Sequence, residues 1–340
     1  MPTYKLKQSK DMKIDFVIPW VDGNDLLWRA EKDKYTPQLQ EDSRDERYRD
    51  WDNLRYWFRG VEKFAPWVNK IYFITWGHLP EWLDTRNKKL VIVNHKDFIP
   101  SKYLPIFNVN PIEMNLHRIR GLAEHFVYFN DDTFIISRMH KHDFFQKGLP
   151  CETAALNVHC VDAYVNNYIA FQAVGMINKY FDFRKTLKRY WKKWFSPRNG
   201  INVFRTIYLL PCPRFPGIYQ THLPTAFLKS TFGTLWNLES DLLKETVRHR
   251  FRHKLDYNQW IFKNWQLVSG MFVPRNSNIG KSFAIDERNI SDIEKYIKKQ
   301  KGKMICINDN TLTDTQFDNY RNRINEVFQE ILPEKSSFEK

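Results

Sequence analysis

No window of this sequence is apolar over the roughly 18 residues that a membrane-crossing helix needs. The opening stretch, MPTYKLKQSKDMKID, has no apolar core of signal-peptide length. These two absences lead to the expectation of a cytoplasmic protein. Cysteine is scarce. Cys151, Cys160, Cys212 and Cys306 form no Cys-x-x-Cys pair, and no His/Cys cluster has zinc spacing. Reduced thiols and no structural zinc are therefore expected. A glycine-rich phosphate loop is also missing, because RNSNIGKSF lacks the Walker spacing. No internal repeat or low-complexity linker divides the 340 residues, so one composite domain is expected. Acids are under-represented, 39 against 53 basic residues, for a net charge of +14. That balance suits an anionic partner, or simply a basic surface. No recognition helix or base-stacking platform is present, so no nucleic-acid partner is expected.

What is present is a globular composition, 42% hydrophobic and 27% charged, with 12 Trp and 16% aromatics. KIDFVIPWVDGND reads as a buried strand from Ile14 to Val21, breaking at Asp22-Gly23-Asn24-Asp25. DWDNLRYWFRGVEKFAPWV reads as an amphipathic helix with Leu54, Trp57, Phe58 and Val61 on one face, capped by Asp50 or Asp52. NKIYFITWG and KLVIVNHKDFIP read as further strands, NPIEMNLHRIRGLAEHF as a helix and VYFNDDTFII as a fourth strand. Strands alternating with helices make a doubly wound α/β half. TAALNVHCVDAY fits another strand and turn. HLPTAFLKSTFGTLW and LLKETVRHRFRHKLDYNQWIFKNWQLVSG look helical, and KMICINDN begins a strand, turn and helix.

Between Lys179 and Arg205 lie nine basic residues, one acid and eight aromatics. Within it, RKTLKRYWKKWF puts Leu187, Trp191, Trp194 and Phe195 on one helical face, with Arg184, Lys188, Arg189, Lys192 and Lys193 elsewhere. A basic amphipathic helix at 184–195 suits an anionic membrane surface, or the aromatics pack on the body.

Chemistry concentrates at a few points. Asp131 and Asp132 interrupt an apolar run, and two buried like charges repel unless a cation sits between them. A hard cation such as Mg²⁺ or Mn²⁺ would take their oxygens together with substrate phosphates. The alternative is a solvated strand-end turn, and Thr133 leaves no Asp-x-Asp. In HRFRHKLDYNQW, Arg250 and Arg252 offer guanidinium forks suited to phosphate, or Arg252 pairs with Asp256 on one helix face. His222, in YQTHLPTAF, has the chemistry of a general base or of a cap. His117 and Arg118 carry the same ambiguity.

These segments, in order, resemble the Stealth family of sugar-1-phosphate transferases of microbial capsule and exopolysaccharide synthesis. The residues that carry the resemblance are IDFVIPWVDGND, then LRYWFRGVEKFAPWVNKIYFITWGHLPEWL with VNHKDFIP and EMNLHRIRGLAEHFVYFNDD. After them come HLPTAFLKSTFGTLW with HRFRHKLDYNQW, and CINDN with LPEKSSFE. The match spans about residues 14–136, 218–273 and 303–339. The animal lysosomal-enzyme N-acetylglucosamine-1-phosphotransferase is a distant relative. The resemblance implies a fold similar to glycosyltransferase-A α/β, a Rossmann-type sheet flanked by helices with further helical segments. It divides the chain into a nucleotide-binding half (14–150), a basic insertion (179–205) and an acceptor and catalytic half (206–340).

The activity implied is transfer of N-acetylhexosamine-1-phosphate from a UDP-sugar to a hydroxyl of a growing polysaccharide, with release of UMP. Carried over, Asp131 and Asp132 would hold the metal. His222, Arg252, Asp256 and Asn258 would stand at the reacting centre. Asp22, Gly23, Asn24, Asp25, Arg55, His117, Arg118, Asn130 and Arg250 would bind substrate. Two other outcomes compete: a metal-dependent glycosyltransferase releasing UDP, and a non-enzymatic polyanion binder whose binding is strongly salt-dependent without turnover.

Overall fold

The computed structural model describes residues 12–36, 49–160, 165–309 and 312–340, with side chains omitted at 165–167. The central sheet begins with β1 (Ile14–Pro19), shorter than expected because the chain leaves the sheet at Trp20. Helix α1 (Leu26–Tyr35) is capped by Asp25, whose carboxylate accepts from Trp28 N. The part of the charged stretch at 37–48 lies outside the described residues. Helix α2 (Leu54–Phe64) buries Leu54, Trp57, Phe58 and Val61 as the spacing requires. Neither expected cap serves it. Asn53 stands at the N-cap, and Asp50 Oδ1 instead accepts from Asp52 N at 2.8 Å. Next come β2 (Ile71–Thr75), β3 (Leu90–Asn94) and α3 (Val109–Asn115), which tightens into a 3₁₀ turn at Leu116–Arg118 and so ends early.

The expected fourth strand is two strands in two sheets. β4 (His125–Tyr128) pairs parallel with β1, with Phe16 opposite Val127. The chain then turns at Asn130, whose carbonyl accepts from Thr133 N and Oγ1 at 3.1 and 2.7 Å. β5 (Thr133–Ile135) joins a different sheet.

Helix α4 (Lys141–Phe144), β6 (Phe145–Gln146) and β7 (Leu149–Glu152) follow. In place of the strand expected at TAALNVHC, Leu156 makes an isolated bridge to Ile218, and 161–164 lie outside the described residues. Then come α5 (Val165–Tyr180), α6 (Phe183–Arg189), α7 (Trp191–Trp194) and α8 (Asn202–Tyr208). The expected single basic helix is thus broken at Tyr190. Leu187 and Trp194 are buried against Phe183, Phe215 and Phe272, so most of its apolar face packs on the body.

HLPTAFLKS is not all helix. β8 (Thr225–Leu228) pairs antiparallel with β4, because a tract buried on both faces fits a sheet edge there, and α9 (Lys229–Leu238) follows. The long expected helix after it is α10 (Ser240–Arg248), a loop, and α11 (Trp260–Val268). β9 (Val273–Pro274), β10 (Gly280–Ala284), α12 (Ile290–Lys298), β11 (Met304–Asn308) and α13 (Asp314–Ile331) complete the chain.

The main sheet runs β3-β2-β1-β4-β8, parallel except at β8. Two smaller sheets run β10-β11-β5 and β6-β7-β9. The mixed α/β fold with a Rossmann-type sheet is as expected. Alternate residues of β1 face opposite cores. Phe16 and Ile18 pack with Trp57, Phe58 and Phe129, while Val17 packs with Tyr72, Phe126 and Tyr128. Gly60 lets α2 lie against β5, since a Cβ there would come within 2.6 Å of Ile135 O. The C-terminal tail is clamped to α2 by buried Arg59, whose Nε and Nη2 each donate to Glu339 at 2.8 Å. Strand order reverses between β1 and β4, and in open α/β sheets ligands bind at the carboxyl ends of the strands flanking such a reversal.

Candidate active site

A cavity of about 720 Å³ opens at that point. Its wall gathers Trp20 and Val21 after β1, Asn130, Asp131 and Asp132 after β4, and Ile307, Asn308 and Asp309 at the carboxyl end of β11. Asp50, His222, Arg252, Asn258, Trp260 and Lys263 complete its polar side. Six residues singled out in the sequence thus share one cavity: Asn130, Asp131, Asp132, His222, Arg252 and Asn258.

The carboxylate pair sits where the chain passes from one sheet to the other. Ile307 N donates to Asp132 O at 2.9 Å, which fixes the crossing. Asp131 and His222 are open to the water of the cavity, yet protein surrounds them, so their charged forms are poorly solvated. Loss of solvation, reinforced by Asp50, pushes Asp131 up to about 6. Loss of solvation and the Asp131 charge push Asp132 up to about 7. Asp132 Oδ1 is buried without a hydrogen-bond partner among the described residues, while Oδ2 lies 3.5 Å from Cys306 Sγ. Two hard oxygen donors in mutual repulsion, one unsatisfied, fit a divalent cation.

His222 occupies the left-handed region at φ 51, a position that costs a non-glycine residue on the order of 1 kcal/mol and recurs at functional sites. Its ring stands edge-on to Trp260 at 5.4 Å. Burial, then the Lys263 charge, hold its pKa below 6.5, so the imidazole is neutral at pH 7. Lys263 is buried 3.7 Å from Glu152, which also faces Arg275 at 3.8 Å. Glu113 is buried, accepts from Gln259 N at 2.8 Å, and is pushed up to about 7 by desolvation.

Asp256 is placed differently from the sequence expectation. The 249–259 segment is a loop rather than a helix, so the Arg252–Asp256 face pair does not form. Asp256 is fully buried and stands outside the cavity wall. Its carboxylate accepts from Asn108 Nδ2 at 2.8 Å, Asn110 Nδ2 at 2.9 Å and His253 N at 3.1 Å, and bonds His249 Nδ1 at 2.6 Å. It is the anchor that pins the loop carrying Arg252 and Asn258 to α3. Among the described residues His249, His253 and Asp256 also have metal-ligand proximity, but these hydrogen bonds already occupy Asp256.

Other sequence candidates stand apart from the cavity. Asp22, Gly23, Asn24 and Asp25 form the turn after Val21. Asp22 Oδ1 accepts from Asn24 N at 2.8 Å, and Asp25 is spent on the α1 cap. Arg55 pairs with Asp52 at 3.3 Å on the surface. His117 stacks on Phe232, and Arg118 lies over Trp236 at 4.8 Å, both against α9 and outside the cavity lining. Arg250 lies over Tyr35 at 4.8 Å and lines a separate hollow of about 360 Å³ with Lys102, Tyr103 and Arg248.

Sequence inspection read Asp50 only as a helix cap and gave no site role to Asn108, Glu113, Lys263 or Asp309. Only Lys263 left a local signal, as the one charge in the apolar helix WIFKNWQLV.

A carboxylate pair, a neutral histidine, a buried lysine and a half-buried arginine in the crevice of a Rossmann-type sheet suit a phosphate-handling transferase. Comparison with known proteins agrees. The model described as Stealth protein conserved region 1 matches residues 12–40, and that for conserved region 2 matches 47–152. A capsular polysaccharide phosphotransferase, WcwK, of Streptococcus pneumoniae is 42% identical over 96% of this chain and 98% of its own. A receptor polysaccharide phosphotransferase, WefC, of Streptococcus gordonii is 40% identical over 96% and 99%. An exopolysaccharide phosphotransferase of Lactiplantibacillus plantarum is 39% identical over 98% of both. The chain belongs to the Stealth family, and it is an enzyme of the phosphotransferase class. Among solved structures, the galactosyltransferase LgtC with donor and acceptor sugar analogues superposes with a TM-score of 0.40 at 8% identity, over 95% of this chain and 98% of that one. The fold assignment rests on the sheet itself.

Proposed function

We propose that the chain transfers N-acetylhexosamine-1-phosphate from a UDP-sugar to a hydroxyl of a growing capsular or exopolysaccharide. The acceptor oxygen attacks the β-phosphorus, the bond to UMP breaks, and UMP leaves with the electron pair. A phosphodiester results. The observation that carries this is the meeting in one cavity of a neutral His222 with the Asp131–Asp132 pair and Arg252.

His222 takes the hydroxyl proton as the new bond forms, since only the unprotonated imidazole can accept it. Its strained backbone holds the ring against Trp260, facing the cavity. Arg252 and Lys263 balance the charge that gathers on phosphate oxygens during transfer. Asp131 and Asp132 hold Mg²⁺ or Mn²⁺, with Asp309 on the same wall. When bound, such a cation neutralises diphosphate oxygens. Trp20, Trp28 and Phe107 form an aromatic wall for the nucleotide end, near the turn at Asp22–Asp25. A volume of about 720 Å³ is in the range of sites that enclose such a ligand.

Membership of a phosphotransferase family argues against a non-catalytic polyanion binder. A glycosyltransferase releasing UDP is separated by product. The protein is incubated with UDP-N-acetylglucosamine, Mg²⁺ and a capsular-type oligosaccharide, and UMP is resolved from UDP. UMP that disappears on chelation and in His222→Ala is the expected result. UDP would overturn the assignment.

A further inference from the structure

Helix α8 is built inside out. Its polar residues Asn202 and Thr206 are buried. Asn202 Nδ2 donates to Ser277 Oγ at 2.9 Å, and Thr206 Oγ1 accepts from Leu156 N at 3.2 Å. Most of its large apolar residues point outward. Ile201, at the N-cap, is 78% exposed, Phe204 70% and Tyr208 83%, and Ile207, at 48%, widens the stripe. Positions 201, 204 and 208 follow the i, i+3, i+7 rule that normally marks the face turned to a core. Here the core side is held by hydrogen bonds and the apolar side meets water. A contiguous patch of large apolar side chains on a soluble surface marks a contact surface.

Exposed apolar side chains recur on either flank of the helix. Asn199 Nδ2 donates to the carbonyls of Lys193 and Trp194 at 2.8 and 3.1 Å, which ties the turn before α8 to α7. Helix α7 presents Trp191, 56% exposed. On the other flank Arg205 Nη1 donates to Asn157 Oδ1 at 2.8 Å, next to exposed Val158.

Charge selects the partner. Residues 183–238 contain ten Lys and Arg and no Asp or Glu. Lys188, Arg189, Lys192, Arg198 and Arg205 are exposed along this stretch. Apolar and aromatic side chains on a stretch whose charges are all cationic match the boundary of an anionic bilayer, where rings enter the acyl edge and cations meet headgroup phosphates. We propose that α8, with Trp191 beside it, docks the enzyme peripherally on an anionic lipid surface. This moves the membrane contact from the buried face of residues 184–195 to a face that is open, and it stands independently of the transferred group.

The test is co-sedimentation with vesicles of phosphatidylcholine alone or mixed with phosphatidylglycerol. Binding to the anionic vesicles, weakened by salt, is expected. The double variant Phe204→Glu/Ile207→Glu, at exposed positions that leave the fold intact, is expected to lower partitioning at least about tenfold. Turnover of a soluble acceptor stays unchanged. Tyr208→Ser, a milder variant, is expected to weaken binding in the same direction. Failure of the unaltered protein to bind anionic vesicles overturns the proposal, as does undiminished binding by the double variant. A lipid-free dimer that the double variant dissociates would also overturn it, by assigning the patch to a second copy of the chain.

Discussion

Replacing Asp132 by Asn should make the metal-free protein more stable while abolishing its response to divalent cations. The Asp132 carboxyl is pushed from its ordinary 3.8 to about 7, first by lost solvation and then by Asp131. Between those two values the folded protein binds a proton that the unfolded chain releases, so stability falls as pH rises through the window. The full difference corresponds to roughly 4 kcal/mol. Water in the open cavity screens the pair, which reduces the expected gain to about 1–2 kcal/mol. For a chain of 340 residues the unfolding entropy is on the order of 0.7 kcal/mol/K, so the gain is roughly 1.5–3 °C in Tm. The assay is calorimetric melting with chelator at pH 8 and pH 4. Asp132→Asn should melt higher than the unaltered protein at pH 8 and equal to it at pH 4. Excess Mg²⁺ should then reverse the order at pH 8, because cation binding at a hundred times Kd adds about 2.7 kcal/mol to the native carboxylate pair alone. A chelated variant that melts lower than the unaltered protein at pH 8 would refute the idea that the two carboxylates are held in mutual repulsion.

His222→Ala should lower kcat by about 10²–10⁴ and leave the Mg²⁺-induced rise in Tm intact, which melting and nucleotide release together would check. Breaking the clamp with Arg59→Ala strands a buried Glu339 carboxylate. The expected loss is about 3–5 kcal/mol, roughly 4–7 °C in Tm, and an unchanged melt would show that the tail contributes nothing. Asp256→Asn can keep its carbonyl oxygen on the Asn108, Asn110 and His253 donors, but its amide then faces His249 Nδ1 and the charge on three donors is lost, so stability should drop by about 1–3 kcal/mol. Turnover should fall with it as the Arg252 loop loosens, and steady-state kinetics at a temperature where the variant remains folded tests this.

The alternation of strand and helix through residue 128 was legible because each parallel strand is a short apolar run and α2 carries its core residues at helical spacing. The acidic pair, His222 and Arg252 were legible because polar groups in apolar or turn-rich contexts stand out. What failed did so for tertiary reasons. VYFNDDTFII is apolar on both sides of the pair, and nothing local says that its halves pair with β1 and β11. RHRFRHKLDYNQW has helical composition, but buried Asp256 gains more from Asn108 and Asn110, some 150 residues distant, than a helix turn would give it. Arg55, His117, Arg118 and Arg250 were suspected for their chemistry. The aromatic neighbours of His117, Arg118 and Arg250 come from remote parts of the chain, whereas Arg55 is taken up by Asp52, three residues before it.

The passage from β4 to β5 also imposes an order in time. β4 completes its pairing with β1 once the first third of the chain exists, but β5 finds its partner only in β11, at residues 304–308. A nascent chain therefore carries the two aspartates just past β4, whose outer edge β8 covers at residues 225–228, for the whole interval in which some 170 further residues are synthesised. Until the last strand slides beside β5 and Ile307 N reaches the Asp132 carbonyl, the pair has no fixed separation. A chain cut short before residue 304 keeps most of its apolar core elements, yet lacks the strand that fixes the acidic turn. The geometry of that turn thus waits on the synthesis of residues 304–308.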